Sequence, residues 1–273
     1  MNIIINNSQK AECFAGIFQH IKLFTEQINI LFEKERMYIQ AMDSSRISIF
    51  EITLPKEWFD LYEHTSDAPF NIGINSSIMF RVLNARDKSQ KINLVFDNIQ
   101  NEKLEIHFTQ IGLGNNKNNP SGSFGEFDKH FEISLLNIDA DVMIIPEIEY
   151  QAEFTIVSSN FANIINQLKM FGSNLDLECS EDKIVLYSNS LEQGKMFVEI
   201  KIDDLTSFVI DEGEIINMSF SLAYLHNICL YNKLSKEVEV KFKSDFPMKM
   251  IYNLGGHPDA KMVFYLAPKI NEE

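Results

Sequence analysis

Positive charge is scarce in this chain. Its 273 residues hold 24 lysines and arginines against 39 aspartates and glutamates, a formal net charge of −15 with a pI near 4.8. As a whole-chain figure this argues against a nucleic-acid binder, which normally carries a basic surplus. Net charge is silent, however, on where the charges sit. Cysteine is scarce too. Cys13, Cys179 and Cys229 are far apart, odd in number and not in C-x-x-C spacing. That pattern points to no disulfide framework and no zinc site, and it predicts a reduced, intracellular setting. No apolar run approaches the ~18 residues of a spanning helix. Met1–Asn7 has neither a basic segment nor a long apolar one, so no signal peptide and no membrane contact are expected.

Catalytic motifs are missing as well. There is no P-loop, no G-x-S-x-G and no G-x-G-x-x-G. The six histidines, at 20, 64, 107, 130, 226 and 257, show no H-x-x-x-H spacing. The expectation is a protein that is not an enzyme and holds no cofactor and no metal. The glycine cluster between Gly112 and Gly125 is asparagine-rich and runs into a strand pattern. It reads as a surface loop and not as a phosphate cradle.

What is present is apolar material in ordered patterns. The hydrophobic share is 45% and the aromatic share 11%, enough for a sizeable core, and the length suits two domains or one large one. Lys103–Phe108, Phe131–Leu135, Val198–Ile202 and Val238–Phe242 alternate strictly, which predicts half-buried antiparallel strands. Helical spacing marks Phe14–Phe24 and Phe161–Phe171, and less strongly Ser76–Arg86 and Ser219–Leu234. Many strands with few helices place the chain in the α+β class.

Two of these helices look like copies. Phe14–Phe24 and Phe161–Phe171 share five of eleven residues at an offset of 147, and Met79 and Val82 lie over Leu225 and Ile228 at 146. An internal repeat therefore sets the domain count, with a second copy expected to begin near Ile148. The loop-like Gly112–Ser123 becomes an insertion within the first copy. The connector becomes Leu136–Tyr150, which carries Asp139, Asp141, Glu147 and Glu149 and no basic residue.

The repeat also sorts the charges. Although 39 of 273 residues are acidic, the four helical segments contain none, and they keep Lys22, Arg81, Arg86, Lys169 and Lys233. Plain burial would remove lysine and arginine as readily as aspartate and glutamate. A small, polar, weakly positive face repeated in each copy (Ala15, Gln19 and Lys22; Ala162, Asn166 and Lys169) suits a negative surface, and duplex DNA contacted through its phosphates is the obvious one.

Three segments then resemble a known family. Gln40–Ser48, with Met42-Asp43-Ser44-Ser45 at its centre, is similar to the M-D-S-S strand-turn-strand of proliferating cell nuclear antigen, the eukaryotic sliding clamp. Tyr265-Leu266-Ala267-Pro268-Lys269-Ile270 resembles that family's Y-L-A-P-K-I tail, and Ile145–Tyr150 its I-P-E-x-E-Y connector end. Order and spacing agree, and the similarity runs over nearly the whole chain.

The resemblance implies a DNA-clamp fold of two topologically equivalent domains, with helices on one face of antiparallel sheets. Their bounds would be 1–135 with an inserted loop at 112–126, a connector at 136–150, and 151–273. It implies a homotrimeric ring around double-stranded DNA. Such a ring is a processivity factor for DNA polymerase and a docking platform for replication and repair proteins. Subunits would join through the edges Asp128–Leu135 and Lys195–Ile202, with Phe131, Ile133, Lys195, Phe197 and Glu199 at the interface. DNA contact carries over to Lys22 and Arg81, while Arg86, Lys169 and Lys233 come from the charge count. Asn163, Asn166, Ala223 and Leu230 stand where the family usually has basic residues, which implies a less positive pore.

Partners would be DNA polymerase, a clamp loader and other proteins bearing PIP-box-like peptides (Q-x-x-hydrophobic-x-x-aromatic-aromatic). The matching groove positions are Met42, Arg46, Ile49, Met143, Ile145, Pro146, Pro247, Tyr265, Ala267, Pro268 and Ile270, with Arg46 replacing a common histidine. Glu181 falls where the family has a modified lysine, with Lys183 nearby. The expected location is the nucleus or a viral DNA replication site. Two readings compete with the homotrimer: a checkpoint-type clamp subunit of a heterotrimer, and an acidic adaptor that never meets DNA. An enzyme is the weakest reading.

Overall fold

Alternating apolar residues decide most of the backbone. In the computed structural model, which describes residues 1–97, 102–110 and 127–269, the chain forms two compact units. One comprises described residues of Met1–Gln40, Ile52–Asp141 and Gly256–Ala260. The other comprises Ala41–Glu51, Val142–Gly255 and the described residues from Lys261 onward. The inserted loop at 112–126 lies outside the described residues.

The first unit holds an antiparallel sheet of β1 (Asn2–Ile5), β5 (Leu61–Glu63), β7 (Gln90–Val95), β8 (Lys103–Gln110) and β9 (Lys129–Ser134), in the order β5-β1-β7-β8-β9. Leu104, Ile106 and Phe108 of β8 are fully buried, as their alternation predicts. A second run, β4-β3-β2-β6, is made of β2 (Gln27–Phe32), β3 (Arg36–Met42), β4 (Ser48–Pro55) and β6 (Phe70–Asn75), with residues 41–42 of β3 and 48–51 of β4 falling in the second unit. Helices α1 (Ser8–Gln19) and α2 (Ser76–Leu83) complete it. Asn7 and Asn75 cap them, each accepting from a main-chain N–H three residues on, at 3.1 and 3.0 Å.

The second unit repeats this plan. Its strands are β10 (Ala152–Val157), β11 (Asn174–Cys179), β12 (Lys183–Ser190), β13 (Gly194–Lys201), β14 (Ser207–Ile210), β15 (Ile216–Ser221), β16 (Glu237–Phe242), β17 (Met248–Asn253) and β18 (Lys261–Leu266). The order β14-β10-β16-β17-β18 matches β5-β1-β7-β8-β9, and β13-β12-β11-β15 matches β4-β3-β2-β6. Helices α3 (Ser158–Leu168) and α4 (Leu222–Cys229) follow β10 and β15, as α1 and α2 follow β1 and β6. Phe14, Phe18 and Ile21 are buried, and so are Phe161, Ile165 and Leu168, at the same offset of 147. Each large apolar side chain so buried contributes about 1.5–3 kcal/mol.

Several details differ from the expectations: α2 ends at Leu83 and not at Arg86, and α3 spans Ser158–Leu168 and not Phe161–Phe171. Helix α1 starts six residues before Phe14, because Asn7 caps a polar first turn, and it therefore contains one acid, the exposed Glu12. The expectation of acid-free helices fails at that residue. The segment 219–234 is not one helix: its first three residues end β15, α4 stops at Cys229, and Leu230–Lys233 tightens into a 3-10 turn. Lys22 likewise lies on a 3-10 turn (Ile21–Leu23) after α1.

The start of the expected connector is pinned within the first unit. Leu136 N–H donates to the Gly73 carbonyl at 2.8 Å, and Asn29 Nδ2 donates to the Ile138 carbonyl at 3.1 Å. The approach at Gly73 needs glycine, since a Cβ there would sit 2.2 Å from the Leu136 oxygen. Residues 137–150 take no regular secondary structure.

Candidate functional site

The basic residues singled out in the sequence occupy helix ends. In the first unit, Lys22 and Arg81 are exposed, beside the exposed Gln19 and Asn84. Arg86 differs. Its guanidinium donates to the carbonyls of Asp87, Lys88 and Gln90 at 3.1, 3.3 and 2.7 Å, and burial lowers its pKa. It braces the turn after α2, so its cation is directed inward. In the second unit, Lys169 closes α3, Lys233 ends the 3-10 turn after α4, and both are exposed. Asn163, Asn166 and Ala223 present an uncharged exposed face on the same two helices. His226 bonds Asn166 Oδ1 through Nδ1 at 2.7 Å. Burial, followed by the Lys169 cation, lowers its pKa, so at neutral pH it links α3 to α4 as a neutral ring and adds no positive charge.

The second unit gathers the expected groove residues. Met42 and Ile49 stand half-buried on the two arms of a turn whose tip carries exposed Arg46, in the left-handed region at φ 59°. Asp43 builds that turn. Its carboxylate, 4% exposed, accepts from the N–H groups of Ser45 (2.7 Å), Ile47 (2.8 Å) and Ser48, and from the hydroxyls of Ser48 (3.1 Å) and Tyr224 (3.0 Å). Burial alone would raise the Asp43 pKa, but these bonds to the ionised form outweigh it and the net shift is downward. The M-D-S-S pattern draws attention to the turn; the part played by Tyr224, 181 positions away, has no signal in the sequence.

The tail runs beside this turn. Ala267 N–H donates to the Ile47 carbonyl at 2.9 Å, and Lys269 N–H to the Ser219 carbonyl at 2.7 Å. Ala267 and Pro268 are half-buried, Pro247 is exposed, and Ile270 lies outside the described residues. Ile145, Pro146 and Tyr265 line one cleft of about 570 Å³, with Met143 half-buried just before it. Tyr265 donates its hydroxyl to Glu51 at 3.1 Å, which fixes its ring.

The expected interface strands are sheet ends: β9 closes one order and β13 the other. On β13, Phe197 is 65% exposed and Lys195 and Glu199 are exposed. Lys195 lies over the Tyr187 ring at 4.6 Å, and Glu199 pairs with Lys183 at 2.9 Å. On β9, Phe131 is half-buried against Phe108, at 5.5 Å between ring centres, while Ile133 is buried at 3% exposure. Ile133 thus serves its own core. Glu181 accepts from Gly213 N–H at 2.8 Å. Burial pushes the thiols of Cys13, Cys179 and Cys229 up to about 12, so they are not thiolates at neutral pH. Among the described residues, no group of three or more His, Cys, Asp or Glu side chains is placed to hold a metal ion, and no helix is long and apolar enough to cross a membrane.

Known proteins align with this sequence along most of its length. The model of the proliferating cell nuclear antigen N-terminal domain matches residues 6–118, and that of the C-terminal domain matches 144–270. A DNA polymerase sliding clamp of Methanococcus maripaludis is 26% identical, over 96% of this chain and 98% of its own length. One of Methanococcus vannielii is 27% identical, over 96% and 98%. The proliferating cell nuclear antigen of Chaetomium thermophilum is 25% identical, over 97% of both chains. With both domain models matched in order, on two units that repeat one strand topology, the chain belongs to the proliferating cell nuclear antigen family of sliding clamps.

Proposed function

We propose that this chain closes as a homotrimer around duplex DNA and tethers DNA polymerase and other replication and repair proteins to it. The carrying observation is the pair of edge strands. β9 ends one strand order of the first copy and β13 one of the second, so these two edges of one chain are different surfaces. Contacts between unlike surfaces are head-to-tail and close into rings when the rotation permits, and the pairing hides edges that otherwise invite aggregation. Phe197, Lys195 and Glu199 on β13 meet Phe131 on β9 of the next chain. The domains are 1–135 and 151–273, joined by the connector at 136–150.

In the ring, DNA meets Lys22, Arg81, Lys169 and Lys233, which are exposed. Four such cations per chain are few, and sliding needs few. Topological linkage removes the need for tight binding, and phosphate contacts carry no sequence information. The net charge of −15 belongs mainly to strands, loops and connector, and it disfavours sideways adhesion to DNA. The protein acts as a scaffold at the DNA replication site inside the cell, without catalysis of its own.

Client proteins insert a Q-x-x-hydrophobic-x-x-aromatic-aromatic peptide beside the Asp43 turn, against Met42, Ile49, Ile145, Pro146, Tyr265 and Pro268. Methionine suits a groove serving several ligands because it repacks readily. Two assays test the proposal. The chain should lengthen polymerase products on a primed circular template once loaded. A consensus peptide should bind, with affinity reduced about tenfold or more by Ile145→Ala or Pro268→Ala. No gain in product length, or undiminished peptide affinity, would count against the respective half.

A further inference from the structure

The cleft below residues 145–150 has a floor of unusual charge. Adjacent strands place Lys241 of β16 directly opposite Lys249 of β17, and Lys249 directly opposite Tyr265 of β18. Like charges facing each other across a ladder repel. The first lysine is neutralised: Lys241 pairs with Glu153 at 2.5 Å and with Glu239 at 2.7 Å. The second makes none of the ion pairs found among the described residues. Its ammonium lies over the Tyr265 ring, 5.5 Å from the centre, and its side chain is half-buried. A cation held over an aromatic face, short of water and beside a second ammonium, is a ready partner for a carboxylate.

The acids around it are otherwise engaged or remote. Glu239 is bound to Lys241, Glu51 accepts the Tyr265 hydroxyl, and Glu147 is exposed at the rim. Burial and the Lys241 charge lower the Lys249 pKa, against smaller opposing pulls from Glu51, Glu239 and Glu147; an entering carboxylate would reverse that. The lining balances three lysines, the third being Lys261, against three glutamates. That balance suits a single carboxylate and resists a polyanion such as a nucleic-acid strand.

We propose that Lys249 receives an aspartate or glutamate side chain of the client peptide, so that this clamp prefers acidic clients. The proposal rests on the peptide-groove reading above, because Ile145, Pro146 and Tyr265 line both groove and cleft, and a peptide anchored in one extends into the other. Lys249 is a specificity-determining residue outside the hydrophobic anchors.

The test is a peptide panel on the full-length chain, measured by fluorescence anisotropy. Alanine, aspartate, glutamate or lysine is placed in turn at each non-anchor position of Q-x-x-hydrophobic-x-x-aromatic-aromatic and at two flanking positions on each side. At one position the acidic peptide should bind about fivefold more tightly than its alanine counterpart, and the lysine peptide more weakly. Lys249→Met should abolish the acid preference, so that acidic and alanine peptides bind alike; Lys249→Arg should retain it. Peptides that bind equally whether acidic or not, or an acid preference that survives Lys249→Met, would overturn the inference and leave the groove standing. Failure of every peptide to bind would overturn both.

Discussion

Replacing Asp43 with alanine should unbalance the second unit more than any change on its surface. The buried carboxylate holds three main-chain N–H groups and two hydroxyls. Hydrogen bonds to a charged group contribute roughly 1.5–3 kcal/mol each when their loss leaves a buried donor unpaired. Ser45 and Ile47 are exposed, so their N–H groups find water, and the cost falls on buried Ser48 and half-buried Tyr224. The expected loss is about 3–5 kcal/mol for Asp43→Ala and about 1 kcal/mol for Tyr224→Phe. Urea unfolding at pH 7 measures both. The pH dependence has a definite sign. The folded-state pKa of Asp43 is below its ordinary value. Its contribution is therefore complete above the unfolded value of about 3.9 and is lost as pH falls through the lower, folded value. The stability gap between the natural chain and Asp43→Asn should narrow below about pH 4. A gap that stays constant down to about pH 2.5, or an Asp43→Ala loss under about 0.5 kcal/mol, would refute the reasoning. Peptide affinity should fall too, since Met42 and Ile49 stand on the arms of the turn that Asp43 holds.

Other outcomes follow from the same geometry. Lys22→Glu, Arg81→Glu and Lys169→Glu should each flatten the dependence of log affinity for DNA on log salt, by about 1 for every cation withdrawn from a phosphate. Arg86→Ala should leave that slope unchanged and lower stability by about 1–2 kcal/mol, because its guanidinium serves the turn carbonyls. Gly73→Ala drives a Cβ into the Leu136 carbonyl. It should cost about 2 kcal/mol and speed limited proteolysis between residues 137 and 150, with unchanged cleavage rates as the contrary result.

Much of this architecture is legible in the sequence because periodicity is a local property. The alternation of Lys103–Phe108 becomes β8 with Leu104, Ile106 and Phe108 buried. The two helix pairs at offsets of 147 and 146 announce two copies, and the structure adds that they share one strand order. The start of α1 is not legible, because its capped first turn of Ser8, Gln9 and Lys10 carries no apolar signal. The break of 219–234 is hidden because the apolar spacing continues through a strand end and a 3-10 turn. What stays dark depends on register and on distant partners. Asp43 and Tyr224 meet only after folding, Arg86 turns inward onto three carbonyls, and Lys241 and Lys249 become neighbours only through a particular pairing of β16 with β17.

Charge has to be located before it can be interpreted. A chain at −15 looks unfit for DNA until its acids are placed, and one of them, Glu12, does lie on a helix. The exposed cations on the helix ends nonetheless remain, and their usefulness depends on whether the chain becomes a ring.

Light scattering on the purified chain, coupled to size exclusion at micromolar concentration, therefore tests the central claim most directly. The expected result is a single species of three times the 31.5 kDa chain mass, reduced to single chains by Phe197→Asp on β13. A single-chain mass for the natural protein would contradict it, and with it the ring, the pore and the proposed mode of DNA contact.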